Sequence, residues 1–392
     1  MDLIHRRAPD YWLVLPVIAL AGVGVVMVYS ASAIVAADRF GDPAFFLKRQ
    51  VLWVLLGGAA LAVTHRIHYA ALRRFTPLLL VLAGLSLVAV LVPGIGRVAG
   101  GARRWIAVGG PFAFQPSESA KLALAFYLAN FLANRGQAVR DLRSGVLPPL
   151  VVTGVMGGLV LLQPDLGTAL LMVLLALGML FAAGARIGHL LMVVTAGLPL
   201  LATAILGEEY RRRRILAFLD PWADPQGAGF HIIQSLLALG SGGLLGVGLG
   251  GSRQKFFYLP ERHTDFVFAI LGEELGLLGT GAVVLLFALL AFRGYRVARR
   301  APDRYGSLLA AGITTMILVQ AVINVGVTAG VFPVTGVPLP FVSFGGSSML
   351  FTMIGVGVLL NISQYARDAA PAAHRPPSVA SALAAARPTS PR

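Results

Sequence analysis

Residues 11–29 read YWLVLPVIALAGVGVVMVY, preceded by Arg6 and Arg7 and followed by Ser30-Ala31-Ser32-Ala33. Two assignments compete for such a stretch. A cleaved secretory signal has a basic start, an apolar core of about 7–15 residues and small residues at the cut. A membrane span needs about 20 apolar residues, because a helix rises ~1.5 Å per residue and the hydrocarbon layer is ~30 Å thick. At 19 residues the run exceeds a signal core, and it reads as a retained first span.

The rest of the chain repeats the pattern. Of 392 residues, 57% are hydrophobic and 12% charged, against about 25% charged in an ordinary soluble domain. Mean hydropathy is +0.79. Spans are expected near 11–31, 49–65, 76–94, 117–134, 147–163, 167–185, 187–206, 266–292, 306–331 and 346–365. Each should be helical, since backbone polar groups find no water in lipid. The expected fold is an all-α polytopic membrane protein of about ten transmembrane helices: a short N-terminus 1–10, a membrane domain 11–368, and a disordered tail 369–392 rich in Ala, Pro and Ser. Residues 207–265 form the one long connection. Within it, Ile232 to Leu239 reads as a short helix on or in the membrane surface, before a glycine run from Gly240 to Gly251.

Charge sets the orientation. With the N-terminus in the cytoplasm, cytoplasmic segments hold 18 basic and 5 acidic residues, net +13. The remainder holds 14 basic and 12 acidic, net +2. The positive-inside bias therefore puts both termini in the cytoplasm and the 207–265 loop outside. The overall net charge of +15 lies in short clusters between apolar runs, the pattern of membrane anchors, so no nucleic-acid partner is expected. The absence of cysteine excludes disulfides, thiol nucleophiles and cysteine–metal sites.

Candidate chemistry gathers on the outer side. In Gln115-Pro116-Ser117-Glu118-Ser119-Ala120-Lys121, Pro116 and Ser117 suit a helix start, and Glu118 and Lys121 share a face. Lys121 then lies about a turn inside the membrane, where a charge must pair or line a wet cavity. A purely structural Glu118–Lys121 pair explains the same spacing. Asp165, in Gln163-Pro164-Asp165, is as well explained by capping a helix as by catalysis. In His263-Thr264-Asp265-Phe266, Asp265 sits at a membrane boundary, poised either as a base or as a helix cap. Glu273 and Glu274 follow two turns later, and at least one must face protein or water. Pro338 to Ser348 breaks regular helix as an outer re-entrant loop whose amides and hydroxyls could hold an anion. Arg103, Arg104, Arg211 to Arg214, Arg253, Lys255 and Arg262 run against the inside bias. Their charge suits a diphosphate, and a lipid-headgroup face suits Arg211 to Arg214 equally.

At these motifs the sequence resembles the SEDS family (shape, elongation, division and sporulation), most of all its cell-division FtsW type. The matching segments are Val26 to Ser32, Gly101 to Ile106, Gln115 to Lys121, Gln163 to Leu170, Arg211 to Phe266 and Leu339 to Ser348, so the likeness runs from about 11 to 365. Phe218 to Pro225 and Gly248 to Lys255 favour the division branch. Ser119 stands where leucine is common. Arg262 stands where that branch commonly has alanine, and arginine occurs in elongation-type members.

The resemblance implies a peptidoglycan glycosyltransferase that polymerises lipid II, the undecaprenyl-diphosphate-linked disaccharide pentapeptide, outside the cytoplasmic membrane. It implies septal wall synthesis, with an elongation role as the variant, and inversion at the sugar in one displacement. It assigns Asp265, Glu118 and Lys121 to catalysis. The expected substrate-binding set is Arg103, Arg104, Gln115, Ser117, Arg262, His263, Thr264, Ser343, Gly345, Gly346 and Ser347. The expected cofactor is a divalent cation, Mg or Mn, on Asp265 and Glu118, with no organic cofactor. The expected partners are a class B penicillin-binding transpeptidase and other division proteins. A lipid II flippase and a division scaffold are the alternative functions.

Overall fold

The computed structural model describes residues 8–99, 101–109, 112–256 and 263–365. The tail 369–392 and Arg262 lie outside the described residues. Ten helices match the ten expected spans: α1 Val14–Phe40, α2 Phe45–Thr64, α3 Tyr69–Ala89, α4 Pro116–Arg135, α5 Leu147–Leu161, α6 Leu166–Ala182, α7 Ile187–Leu206, α10 Val267–Arg300, α11 Arg304–Thr328 and α12 Gly346–Ser363. Among the described residues, eight helical stretches are long and apolar enough to cross a membrane unaided. The two that fall short are α4, diluted by Ser117, Glu118, Ser119 and Lys121, and α6, with 17 residues.

Those two lie in the interior. α4 packs against α3, α6 and α11, and α6 also packs on α5 and α11. By contrast α7, predominantly apolar, has no buried residue. In lipid the outer surface is the apolar one, and helices shielded by protein tolerate polar side chains. The bundle follows that ordering. α2 lies along α12, α10 along α11, and α1 bridges α2 and α10.

Local sequence explains the ends. Pro116 opens α4 at a position whose N–H would go unused. Asp165 accepts from the Thr168 amide (3.0 Å) and hydroxyl (2.9 Å), capping α6. Asp303 accepts from the Gly306 amide (2.9 Å), capping α11, and from the Tyr69 hydroxyl.

Two connections hold more structure than expected. Residues 96–114 form an antiparallel sheet, β1 Gly96–Ala99, β2 Ala102–Gly109 and β3 Phe112–Phe114, in the order β1-β2-β3. Gly101, with φ +78°, begins the return of the first hairpin into β2. The 207–265 connection contains the anticipated helix as α9, Phe230–Gly242, and also α8, Glu209–Leu219. The sheet and α8 escaped prediction because each is short and amphipathic only against its neighbours.

Candidate active site

Phe266 is the N-cap of α10, and its own side chain makes no capping hydrogen bond. Asp265 immediately precedes it in the chain. It is half-buried and lines a cavity of about 610 Å3. Gly336 faces it with φ +75°, and a Cβ there would come 3.5 Å from Asp265 Oδ2. Asn324 Nδ2 donates to the Asp265 carbonyl (2.8 Å) and to the Val337 carbonyl (2.8 Å), fixing both walls from α11.

Two guanidinium groups share the cavity with Asp265. Arg104 comes from β2. Its Nε donates to the Gln163 carbonyl (2.9 Å) and its Nη2 to the Pro164 carbonyl, which ties the sheet to the α5–α6 turn. Arg214 comes from α8, donates to the Val334 carbonyl (3.2 Å) and stacks on Tyr210 (4.6 Å). Neither uses all its donors on the protein. Gln115, Thr264, Gly345 and Ser348 complete the polar wall.

Glu118 and Lys121 lie behind that wall. Both are almost fully buried, 3% and 2% exposed, and Lys121 Nζ donates to Glu118 Oε1 (2.8 Å). Lys121 Nζ also donates to Gln320 Oε1 (2.6 Å). Gln320 Nε2 in turn donates to the Pro338 carbonyl (3.0 Å) and the Ser348 hydroxyl (3.3 Å). Pro338 and Ser348 line the cavity, whereas Glu118 and Lys121 do not. The pair thus reaches the site through one buried amide.

Residues 11–368 match the FtsW/RodA/SpoVE family, described as cell cycle protein. The chain belongs to that family. It is 48% identical over 362 residues to stage V sporulation protein E of Bacillus subtilis, covering 92% of this chain and 99% of that one. It is 47% identical over 354 residues to the probable peptidoglycan glycosyltransferase FtsW of Geobacter metallireducens, covering 90% and 94%. Among solved structures, a chain of a peptidoglycan synthase complex matches with TM-score 0.75 at 35% identity, covering 91% of this chain and 98% of that one. The rod shape determining protein RodA of Thermus thermophilus matches with TM-score 0.65 at 32% identity, covering 91% and 97%.

In this FtsW/RodA/SpoVE-family chain the remaining expected residues divide. Gln115, Thr264 and Gly345 line the cavity with Asp265 and Arg104. Arg103 is exposed and is not part of the lining. Three of the others hold backbone. Ser347 Oγ accepts from the Gln115 amide (3.0 Å) and donates to the Ala113 carbonyl (3.2 Å), joining α12 to β3. Ser343 Oγ accepts from the Leu339 amide (2.8 Å). The His263 carbonyl accepts from the Phe344 amide (2.9 Å), and its ring lies 4.5 Å from Phe46. Gly346 leaves room for Trp53, whose ring a Cβ would meet at 2.0 Å. Ser117 is buried, with no hydrogen-bond partner for its hydroxyl.

Lys255, one of the cations whose charge suited a diphosphate, is buried in an ion pair. Its ammonium pairs with Glu274 (3.0 Å) and donates to the Gly250 carbonyl (2.6 Å). Glu273 accepts from the Ser252 hydroxyl and the Arg253 amide (2.8 Å). Both glutamates face protein. Arg214 and Tyr210 line the cavity and Gln320 and Asn324 hold its wall, residues that sequence reasoning passed over or left undecided. Gln320 and Asn324 carried a signal, as polar side chains one turn apart in an otherwise apolar span.

The residues were also tested against a divalent ion. Among the described residues, no group of three or more His, Asp or Glu side chains could hold a metal. Glu118 is already neutralised by Lys121 and stands outside the cavity lining, so it does not fit as a ligand. Asp265 fits as the single carboxylate of a magnesium site of the kind completed by substrate phosphates and water.

Proposed function

We propose that this chain is a peptidoglycan glycosyltransferase that polymerises lipid II, with Asp265 as the general base. The observation that carries this is one cavity lined by Asp265 together with the two arginines Arg104 and Arg214. Joining glycan units breaks a sugar–diphosphate bond and forms a sugar–sugar bond. The acceptor hydroxyl loses its proton to Asp265 as its oxygen attacks the anomeric carbon. The electron pair of the broken bond leaves on the diphosphate, whose charge Arg104 and Arg214 meet. The attack is a single displacement with inversion.

Lys121 and Glu118 act through Gln320, which positions Ser348 and the Pro338 carbonyl in the wall. A magnesium or manganese ion on Asp265 would add charge neutralisation for the diphosphate. The site opens outside the cytoplasmic membrane, both termini lie inside, and a class B penicillin-binding transpeptidase is the partner in septal synthesis. The arginine bias between the two ends of the bundle supports this orientation.

The test is gel-based polymerisation of labelled lipid II by the purified chain with its transpeptidase partner. Asp265→Asn should reduce glycan formation by about 10²–10⁴-fold, the contribution typical of a positioned base. Full polymerisation by that variant would falsify the assignment of Asp265.

A further inference from the structure

A second polar cavity lies at the opposite end of the bundle. α4 runs 20 residues from Pro116, beside the Asp265 cavity, to Arg135, a distance of about 30 Å at the helical rise. There the turn after α4 and the turn after α6 are stapled together. Arg304 donates to the Gly136 carbonyl (3.2 Å) in one and the Ala183 carbonyl (3.0 Å) in the other. Gly145 packs so closely on this turn that a Cβ would come 2.3 Å from the Ala138 carbonyl oxygen. The walls are thereby fixed. Between them lies a space of about 400 Å3 lined by Gln137, Arg140, Asp141, Leu142, Arg186 and His189.

Its charges do not cancel. Asp141 is engaged by the Ser144 amide (2.8 Å), and hydrogen bonding to Ser144 holds its carboxyl below the usual carboxylate range. The guanidinium groups of Arg140 and Arg186 make no hydrogen bond or ion pair among the described residues. His189 Nδ1 is buried with no hydrogen-bond partner. Two guanidinium forks and an imidazole around one space suit a phosphate.

The surroundings say which phosphate. α7 begins at Ile187, immediately after Arg186, and none of its residues is buried. Ile187 and Leu191 on α7 are exposed, as are Leu147 and Val151 on α5. Each pair is four residues apart and makes an apolar strip running from the cavity into the membrane. A polar head in the cavity and acyl chains along α5 and α7 describe one occupant. We infer that this cavity binds the headgroup of an anionic phospholipid of the leaflet opposite the Asp265 site. Basic pockets between spans on the cytoplasmic side are the setting in which such headgroups bind.

The test uses the full chain in zwitterionic nanodiscs or detergent, titrated with short-chain phosphatidylglycerol, with short-chain phosphatidylcholine or with inorganic phosphate. Binding is read by native mass spectrometry and by the shift in thermal midpoint. Phosphatidylglycerol should bind and raise the midpoint, and phosphatidylcholine should not. Arg140→Gln/Arg186→Gln should weaken phosphatidylglycerol binding roughly thirtyfold, the effect of two neutralised charges beside an anionic head. Arg299→Gln/Arg300→Gln, which removes charges outside the cavity, should leave binding intact. Should the glutamine pair prevent folding, Arg140→Lys/Arg186→Lys keeps the charge without the fork and should still weaken binding. Equal loss in the Arg299/Arg300 variant would show diffuse surface attraction. Full replacement of the lipid effect by phosphate would show a soluble-anion site. Either result, or undiminished binding by both cavity variants, overturns the inference.

Discussion

Removing one member of the Glu118–Lys121 pair and removing both have different consequences. The pair is buried behind the cavity wall, so Lys121→Met leaves Glu118 uncompensated, at a cost of about 3–5 kcal/mol. Glu118→Gln/Lys121→Met removes both charges and should recover most of that loss in thermal midpoint. It should not recover polymerisation, which should stay about 10²-fold down because Gln320, which positions the cavity wall, loses its Lys121 donor. If the double variant melts as low as the single one, charge compensation is not what the pair provides. Asp265 belongs to another class. Its place in the cavity lining makes Asp265→Asn a test of chemistry more than of folding. At this scale the cost of charge in a membrane drew out Glu118 and Lys121, whereas spacing left Asp265 between base and helix cap and the family resemblance singled it out. It could not say that Lys255 pairs with Glu274, because those residues meet only when the glycine loop folds back.

That fold-back is a property of α10. The helix is broken at Gly276, whose φ of +64° and ψ of −162° lie where essentially only glycine is at ease. At the break, the amides of Leu277 and Leu278 donate to the carbonyls of Gly243 and Leu244 (2.9 and 3.2 Å). The amides of Val247 and Gly248 donate to Glu273 and Glu274 (3.0 Å each). The loop after α9 is thus laced to an interrupted helix, with the two glutamates closing it from within. Gly276→Ala would place a Cβ 2.4 Å from the Gly246 nitrogen. It should cost about 1–3 kcal/mol and raise amide hydrogen exchange at Val247, Gly248, Leu277 and Leu278. Unchanged exchange there would mean that the lacing does not depend on the break. The sequence marked this region as glycine-rich and Glu-bearing. It gave no sign that the two features are partners, since a glycine break inside an apolar span has the same composition as an unbroken helix.

Across the whole molecule, the orientation is open to direct measurement because the chain has no cysteine. A single cysteine at Asp224, in the connection after α8, should react with a membrane-impermeant maleimide on intact cells. A single cysteine at Ala301, between α10 and α11, should react only after permeabilisation. The reverse pattern would invert the assignment of the Asp265 cavity to the outer side and of the Arg140–Arg186 cavity to the cytoplasm.

What the sequence alone determined was the polytopic helical class, the membrane helices and their approximate ends. Lipid imposes these constraints on each segment separately, through length, hydropathy and charge. The tertiary structure decided which of those motifs share a cavity. It put Arg214 beside Asp265, set Arg103 outside the cavity lining, placed Lys121 one amide behind the wall, and built a sheet from residues 96–114. These outcomes depend on contacts between segments far apart in the chain. No local pattern encodes which faces of two helices meet, because burial is settled only when the partner is in place.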